Sequence, residues 1–585
     1  MFDMPPVSDS LRVSSKRFTA RIKQTWSKIS TYRPGSAPTH RLSDTRGALV
    51  SYDIRAIVVY MKSVKSIVGM FLLAACFLAP SHLSAATAAE ETRNFLAISP
   101  DNPFFPIIIL ATFIVAVISF FKPGFGLITM LFFMLVSTDM QLERTTGERA
   151  PSIRVEDVIL LVVSAGWLLN RAKTRTLSMF RRVPVNRPIM AMAAIILLAS
   201  TVGYIQGTLP VKRGTLFTMK RLEYFWLFFM TLNIIDTNKK VKQAFKILLW
   251  LTVFISLVGA IQFYLYPLSG LVMGGATATT GFGRANTLAD FYLIVVGIFL
   301  GLLIYSNGKK EIATYLLVTT LSAVAIIMTK SRGAYVSVPI LFATLLLVSR
   351  SKKTLFYVLV ASGIVTVYIL FSIVVEYATP DVAQGANALT AKHTNDIDRQ
   401  LTSIKDIAES GPEADSSFYA RYSSWMNNKE EIARYPALGH GVGSVPLAWF
   451  DCQHVREMYE TGLIGFAVFL YMNLAIFVAV LNFFFMTPDP FEKGVSCGFL
   501  GGHTAIMVHG VSLANFYTIM NMEVFWFVVA LIMVLYHNRL KERQRNGAEE
   551  SSVTPTIGGA TSAVATLHPN TPGDGSNVRS GSKER

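Results

Sequence analysis

Residues 287–353 read TLADFYLIVVGIFLGLLIY-SNGKK-EIATYLLVTTLSAVAIIM-TKSRG-AYVSVPILFATLLLVS-RSKK, three apolar runs separated by short polar connectors. A soluble core can hide one such run, but repetition of runs roughly 15–24 residues long is the pattern of membrane-spanning helices. Outward from this stretch the pattern continues. Apolar runs fall at 104–121, 125–138, 157–170, 188–205, 222–236 and 247–266 upstream, and at 355–375, 462–484, 495–512 and 523–537 downstream. The expected fold is an all-α polytopic membrane protein with about 13 transmembrane helices.

Composition agrees. Of the 585 residues 52% are hydrophobic and 16% charged, with a mean hydropathy of +0.44, against about a quarter charged in soluble domains. The net charge of +17 would suit nucleic acid if it formed a face. It is instead concentrated in the N-terminal region (Arg12, Lys16, Arg17, Arg21 and others) and in short loops between apolar runs. That distribution is the positive-inside pattern, so the expected partner of the charge is anionic lipid rather than nucleic acid. Cys76, Cys452 and Cys497 fall in separate segments, without disulfide or zinc spacing.

Residues 1–60 are polar, basic and Ser/Arg-rich, a composition expected to be disordered. Met61 then begins what reads as a second start: Lys62 and Lys65, an apolar stretch from Ile67 to Ala79, and the small residues Ser84 to Ala88. These are the parts of a secretory signal peptide, and an uncleaved first span reads equally well over 61–90; Leu73-Ala74-Ala75-Cys76 also has the form of a lipoprotein cleavage box. Each reading leaves Glu90 outside the cytoplasm. From there the cytoplasmic connections hold Arg171–Arg187, Lys239–Lys246, Lys309–Lys310, Arg350–Lys353 and the tail after Asn538, and every one is basic. The protein is expected in the bacterial inner membrane, and the parity puts one long loop, 376–461, on the periplasmic side. Ile397, Leu401 and Ile404 recur there at helical spacing. The tail 538–585 is polar and of low complexity.

Polar residues at span edges default to functional candidates. Arg221 (with Lys220) opens the span ending near Ile235; Arg284 precedes the span beginning near Thr287; Arg332 (with Lys330) sits at the outer connection between two further spans. All are cations on the face where the positive-inside rule puts few. Snorkelling to lipid phosphate explains any one of them; three clusters on one face suit a diphosphate, which the arginine fork binds bidentately. The long loop contributes Arg421 and Trp425, then Tyr435-Pro436-Ala437-Leu438-Gly439-His440-Gly441-Val442-Gly443-Ser444, then Asp451, His454, Arg456, Glu457 and Glu460. The alternating glycines fit either a phosphate-cradling loop or close turn packing. On a helix His454 would meet Glu457, and Arg456 would meet Glu460.

The run Arg421…Trp425…Pro436…Gly439-x-Gly441-x-Gly443, followed by Glu460-Thr461-Gly462-Leu463-Ile464-Gly465, resembles the O-antigen ligase and polymerase superfamily. So do Ser331-Arg332-Gly333-Ala334 and Arg284-x-Asn286-x-Leu288-Ala289. The resemblance covers roughly 280–485. One element departs: where family ligases carry a His-Asn pair nine residues before the glutamate, this chain has Asp451-Cys452, and His454 comes three residues late. The resemblance implies a glycosyltransferase of surface polysaccharide synthesis, with no cofactor and no metal. Its donor is a glycan on undecaprenyl diphosphate, and its acceptor a hydroxyl of lipid A core or of another glycan. It further implies that Arg284, Arg332 and Arg421, with Arg456 and Arg221 behind them, stabilise the diphosphate, and that Glu460, Asp451 or His454 serves as acceptor base. A non-enzymatic flippase or transporter of lipid-linked sugar is the alternative; it would place its cations near the membrane midplane.

Overall fold

The computed structural model describes residues 105–136, 140–141, 152–153, 155–173, 181–265, 284–329, 331–357, 360, 409–411, 413, 416–445 and 452–553. The chain divides into Met1–Leu83 and Ser84–Arg585, and every described residue belongs to the second. The N-terminal region and signal segment, the helix expected around Leu401, most of span 355–375, Asp451 and the tail beyond 553 lie outside the described residues.

The regular secondary structure described is helical, apart from a two-residue antiparallel pair joining Met140–Gln141 to Ser152–Ile153. In chain order the helices are α1 (Phe105–Phe121), α2 (Pro123–Val136), α3 (Val155–Lys173), α4 (Asn186–Gln206), α5 (Val211–Ile234), α6 (Asn238–Leu265), α7 (Arg284–Tyr305), α8 (Lys309–Met328), α9 (Arg332–Ser349), α10 (Ser416–Asn427), α11 (Lys429–Arg434), α12 (Gln453–Met486), α13 (Pro490–His509) and α14 (Ile519–Val553). Six of the described helices, α4, α7, α8, α9, α12 and α14, are long and apolar enough to cross a membrane, against the thirteen spans read from hydropathy. Span 355–375 lies mostly outside the described residues, and several helix bounds differ from those expected. Helix α2 has 14 residues, and α5 starts at Val211 rather than near 222, which places Lys220, Arg221 and Glu223 in mid-helix. The last helix also runs on to Val553, past the expected boundary at Asn538. Arg539 holds it there by bonding Glu492 and Glu542, and Arg543 reaches the Met486 carbonyl.

Helix α7 is the axis of the bundle, with 94% of its apolar window buried. Apolar side chains gain little by leaving lipid for protein, so helices in a bilayer hold together by close packing of small residues. Gly297 and Gly301 on α7 face Gly494, Gly498 and Gly502 on α13, and a Cβ on Gly297 would stand 2.5 Å from the Gly498 carbonyl oxygen. Around this pair the outer helices turn leucine and phenylalanine outward. Phe113, Leu161, Met190, Leu317, Leu347 and Leu474 are all exposed, as a lipid-facing belt requires.

Contacts sort the helix ends into two sets. At one end Asn538 bonds Asn238, Arg539 bonds Glu492, Lys242 pairs with Asp489, and Arg181 reaches the Ile235 carbonyl. At the other, Arg221 meets Glu457, Gln453 N–H meets the Gly510 carbonyl, and Thr208 meets the His440 carbonyl. Loops read as cytoplasmic from charge contribute to the first set, together with Asp489 and Glu492 at the start of α13, and the candidate Arg221 and the glycine loop of His440 lie in the second.

Candidate functional site

The site end is organised by a break in α12. Gly462 has φ 69° and ψ −175°, a conformation open essentially to glycine alone. The break strands two N–H groups and two carbonyls within a helix long and apolar enough to cross a membrane, where unpaired backbone is costly. The glycine loop repairs it from both sides. Leu463 and Ile464 N–H donate to the Pro436 and Ala437 carbonyls (2.8 and 3.3 Å), and the Tyr459 and Glu460 carbonyls accept from His440 and Gly441 N–H (2.9 Å each). Gly439, Gly441 and Gly443 all have φ between 66° and 93°. On the loop's other side Gly203 of α4 packs against the His440 carbonyl so closely that a Cβ would overlap it. His440 stacks on the Tyr459 ring with centroids 4.2 Å apart. Of the two readings the sequence left open for these glycines, close packing is what the structure displays: the loop splices a broken helix.

The half-helix before the break, Gln453–Thr461, carries the charged residues inward. Glu457 is fully buried and receives both arms of Arg221, Nη1 to Oε1 at 3.1 Å and Nη2 to Oε2 at 3.0 Å. Gln453 Nε2 (3.1 Å) and Thr461 Oγ1 (3.2 Å) add to its shell, and the Tyr517 hydroxyl lies 3.4 Å from its Oε2. Glu460, also fully buried, accepts from Arg456 Nε at 3.1 Å. Between the pairs stands Tyr517. Its hydroxyl accepts from Arg221 Nη1 at 2.7 Å and donates to Glu460 Oε2 at 2.6 Å, and its ring lies 3.7 Å from the Arg456 guanidinium carbon and 4.4 Å from that of Arg221. Two arginines and two glutamates sum to zero charge, the condition for burying four ions together. Aromatic faces on both guanidinium groups add cation–π attraction.

The structure therefore brings Arg221, Arg456 and Glu460 together. The Arg456–Glu460 pair forms at the helical spacing expected; Glu457, instead of meeting His454, turns to Arg221. His454 Nε2 lies 3.3 Å from the Met507 carbonyl, and its ring stands edge-on to Phe466 and Phe469. Arg332 opens α9 and is partly buried, and Arg284 opens α7 at the same end, its side chain outside the described residues. Arg421 is partly buried on α10, which leads through α11 into the glycine loop.

Several participants escaped the sequence reading. Tyr517 lies in a connector after α13, with no periodic signal. Asp290 had one: an ionisable residue inside an apolar run is a functional candidate by default. It is buried and bonded to His509, Nδ1 to Oδ1 at 2.5 Å, while His509 Nε2 faces Ser331 Oγ at 3.2 Å. A third cluster joins Asp157, Glu223 and Glu523, whose carboxylate oxygens lie within 4.8 Å of one another. They come from three separate helices, and Lys220 bonds Asp157 and sits 3.1 Å from Glu223. An ammonium group thus already stands where carboxylates of this spacing would hold a cation.

These features define a polytopic helical membrane protein whose buried polar chemistry gathers at one end of the bundle, around a spliced helix. Residues 316–462 match the family described as O-Antigen ligase, which places this stretch in the O-antigen ligase superfamily. The matched segment runs from α8 through Ser331-Arg332-Gly333, Arg421 and the glycine loop to Gly462 itself. No curated protein matches the chain.

Proposed function

We propose that the protein transfers a glycan from undecaprenyl diphosphate to an acceptor hydroxyl at the periplasmic face of the inner membrane, as a ligase or polymerase of surface polysaccharide. The observation that carries this reading is that the superfamily match ends on the same half-helix that buries Arg456 and Glu460 beside Arg221 and Tyr517. In the reaction, the bond from the anomeric carbon to the phosphate oxygen breaks, its electron pair stays on the diphosphate, and the acceptor oxygen bonds the sugar carbon. The developing negative charge needs preorganised cations. Arg284, Arg332 and Arg421 supply them, with Arg456 and Arg221 behind in the carboxylate network, and the arginines take the place of a metal. The acceptor proton needs a base within hydrogen-bond reach. Glu460 is the first candidate for that base or for the group that orients it, with Asp451 and His454 behind it.

Deletion in the native host, followed by gel analysis of surface polysaccharide, tests the reading. Loss of the whole ladder on the acceptor marks ligation, and a single-repeat band marks polymerisation. An unchanged ladder sinks both. Glu460→Gln should keep membrane levels and donor binding while losing turnover, with Asp451→Asn milder. Full activity of Glu460→Gln beside a dead His454→Ala would move the base to His454.

A further inference from the structure

The Asp290–His509–Ser331 cluster lies at the same end of the bundle as the charged network but takes no part in the roles assigned above. It is assembled from three helices. Asp290 lies in α7, His509 ends α13, and Ser331 caps the N-terminus of α9 by accepting from Ala334 N–H at 3.4 Å. Each of the three is at most 2% exposed. Asp290 is itself fixed by amide donors, Asn521 Nδ2 to Oδ2 at 3.0 Å and Asn515 Nδ2 to Oδ1 at 3.4 Å. A carboxylate on Nδ1 of an imidazole fixes the ring's orientation and places a proton on that nitrogen. Here it aims Nε2 at the Ser331 hydroxyl, 3.2 Å away.

The ring also packs against the residue on the far side of Arg332. A Cβ at Gly333 would overlap Ser512 Oγ and come within 2.6 Å of His509 Cδ2 and 2.9 Å of Nε2, so this glycine is what allows the turn to rest on the imidazole and on Ser512 beside it. Both neighbours of Arg332 are therefore pressed onto one side chain, Ser331 by a hydrogen bond and Gly333 by contact. Arg332 is the partly buried residue between them.

We propose that His509, oriented by Asp290, is a positioning residue for Arg332: it holds the Ser331–Gly333 turn so that the guanidinium is aimed at the donor diphosphate. The inference rests on the reading of Arg332 as a diphosphate ligand. A buried Ser–His–Asp geometry could also suggest a nucleophile, but Ser331 Oγ is committed to capping α9, and its burial leaves no approach for an electrophile.

The chemistry of the two amide side chains separates position from bulk. Asparagine in place of His509 puts its amide nitrogen where Nδ1 was, keeping the Asp290 bond and losing Ser331. Glutamine carries its amide to where Nε2 was, and its carbonyl oxygen can accept from the Ser331 hydroxyl as Nε2 did, keeping Ser331. The test measures binding of undecaprenyl diphosphate to the full-length protein in lipid nanodiscs, with membrane yield and thermal stability recorded for every variant. Arg332→Ala and His509→Asn should each weaken binding, the latter roughly tenfold, the size expected within one hydrogen-bonded network. His509→Gln should restore most of that loss. The double variant Arg332→Ala/His509→Asn should bind no worse than Arg332→Ala alone, because His509 acts only through the arginine. Additive losses, or equal losses from Asn and Gln, would reduce His509 to a packing residue and overturn the proposal. Wild-type binding by His509→Asn beside a defective Arg332→Ala would overturn it while sparing the diphosphate reading. Wild-type binding by Arg332→Ala would remove both. Should His509→Asn fail to accumulate, Ser331→Ala tests the same link, with the same non-additivity expected.

Discussion

Replacing Gly462 by alanine attacks the splice directly. The backbone there has φ 69° and ψ −175°, which a residue with a Cβ occupies at a cost of about 1–3 kcal/mol. The added carbon would overlap the Ala437 carbonyl and stand 2.5 Å from Leu438 N, so the loop must retreat. Retreat stretches the four backbone bonds that join Pro436, Ala437, His440 and Gly441 to the broken helix. Losing two of them in a buried setting adds at least about 1 kcal/mol each. The sum, about 3–5 kcal/mol, is large against ordinary domain stability. Gly207 is the control: its φ is 72°, yet a Cβ added there would meet nothing within 4 Å, so Gly207→Ala should cost only about 1 kcal/mol. Gly203→Ala isolates the complementary case, overlap with the His440 carbonyl in ordinary helical backbone. Thermal unfolding of the purified protein in detergent, followed by tryptophan fluorescence, ranks the three. Gly462→Ala should be the least stable and should lose transfer as Glu457 and Glu460 shift. If Gly462→Ala melts with Gly207→Ala and stays active, the splice does not hold the site.

Topology is open to reporter fusions: those at Ala383 and Asn427 should report periplasm and those at Asn307 and Lys352 cytoplasm, and a cytoplasmic signal from the long loop would overturn the placement of the site. Arg221→Ala strands the buried Glu457 carboxylate and should cost roughly 3–5 kcal/mol, whereas Arg221→Met with Glu457→Met should recover most of the melting temperature without activity; equal melting of the single and double variants would deny the pairing. His440 is held below its ordinary value chiefly by burial, opposed by the Tyr459 carbonyl and Glu431. The unfolded chain therefore binds the proton more readily, so this contribution is complete above about pH 6.5 and is lost as pH falls below it. His440→Phe should flatten the melting temperature between about pH 5 and 6.5, and an unchanged slope would acquit the histidine.

Much of this protein is written locally. Apolar runs and basic connectors depend only on neighbouring residues, because a bilayer tests each segment by itself for length and charge. The Arg456–Glu460 pair follows from helical spacing alone. The order of the Ser-Arg-Gly, glycine-loop and Glu-Thr-Gly elements points to the superfamily whose match covers 316–462. Tertiary structure decided what each polar group meets. Arg221 finds Glu457 across 236 residues, and His509 finds Asp290 across 219; no periodicity links positions so far apart. It also chose between two meanings of the same glycines, since a left-handed residue can open a loop to an anion or let two backbones touch. Here they touch, because a helix broken at Gly462 leaves four backbone groups that a neighbouring strand of chain must satisfy.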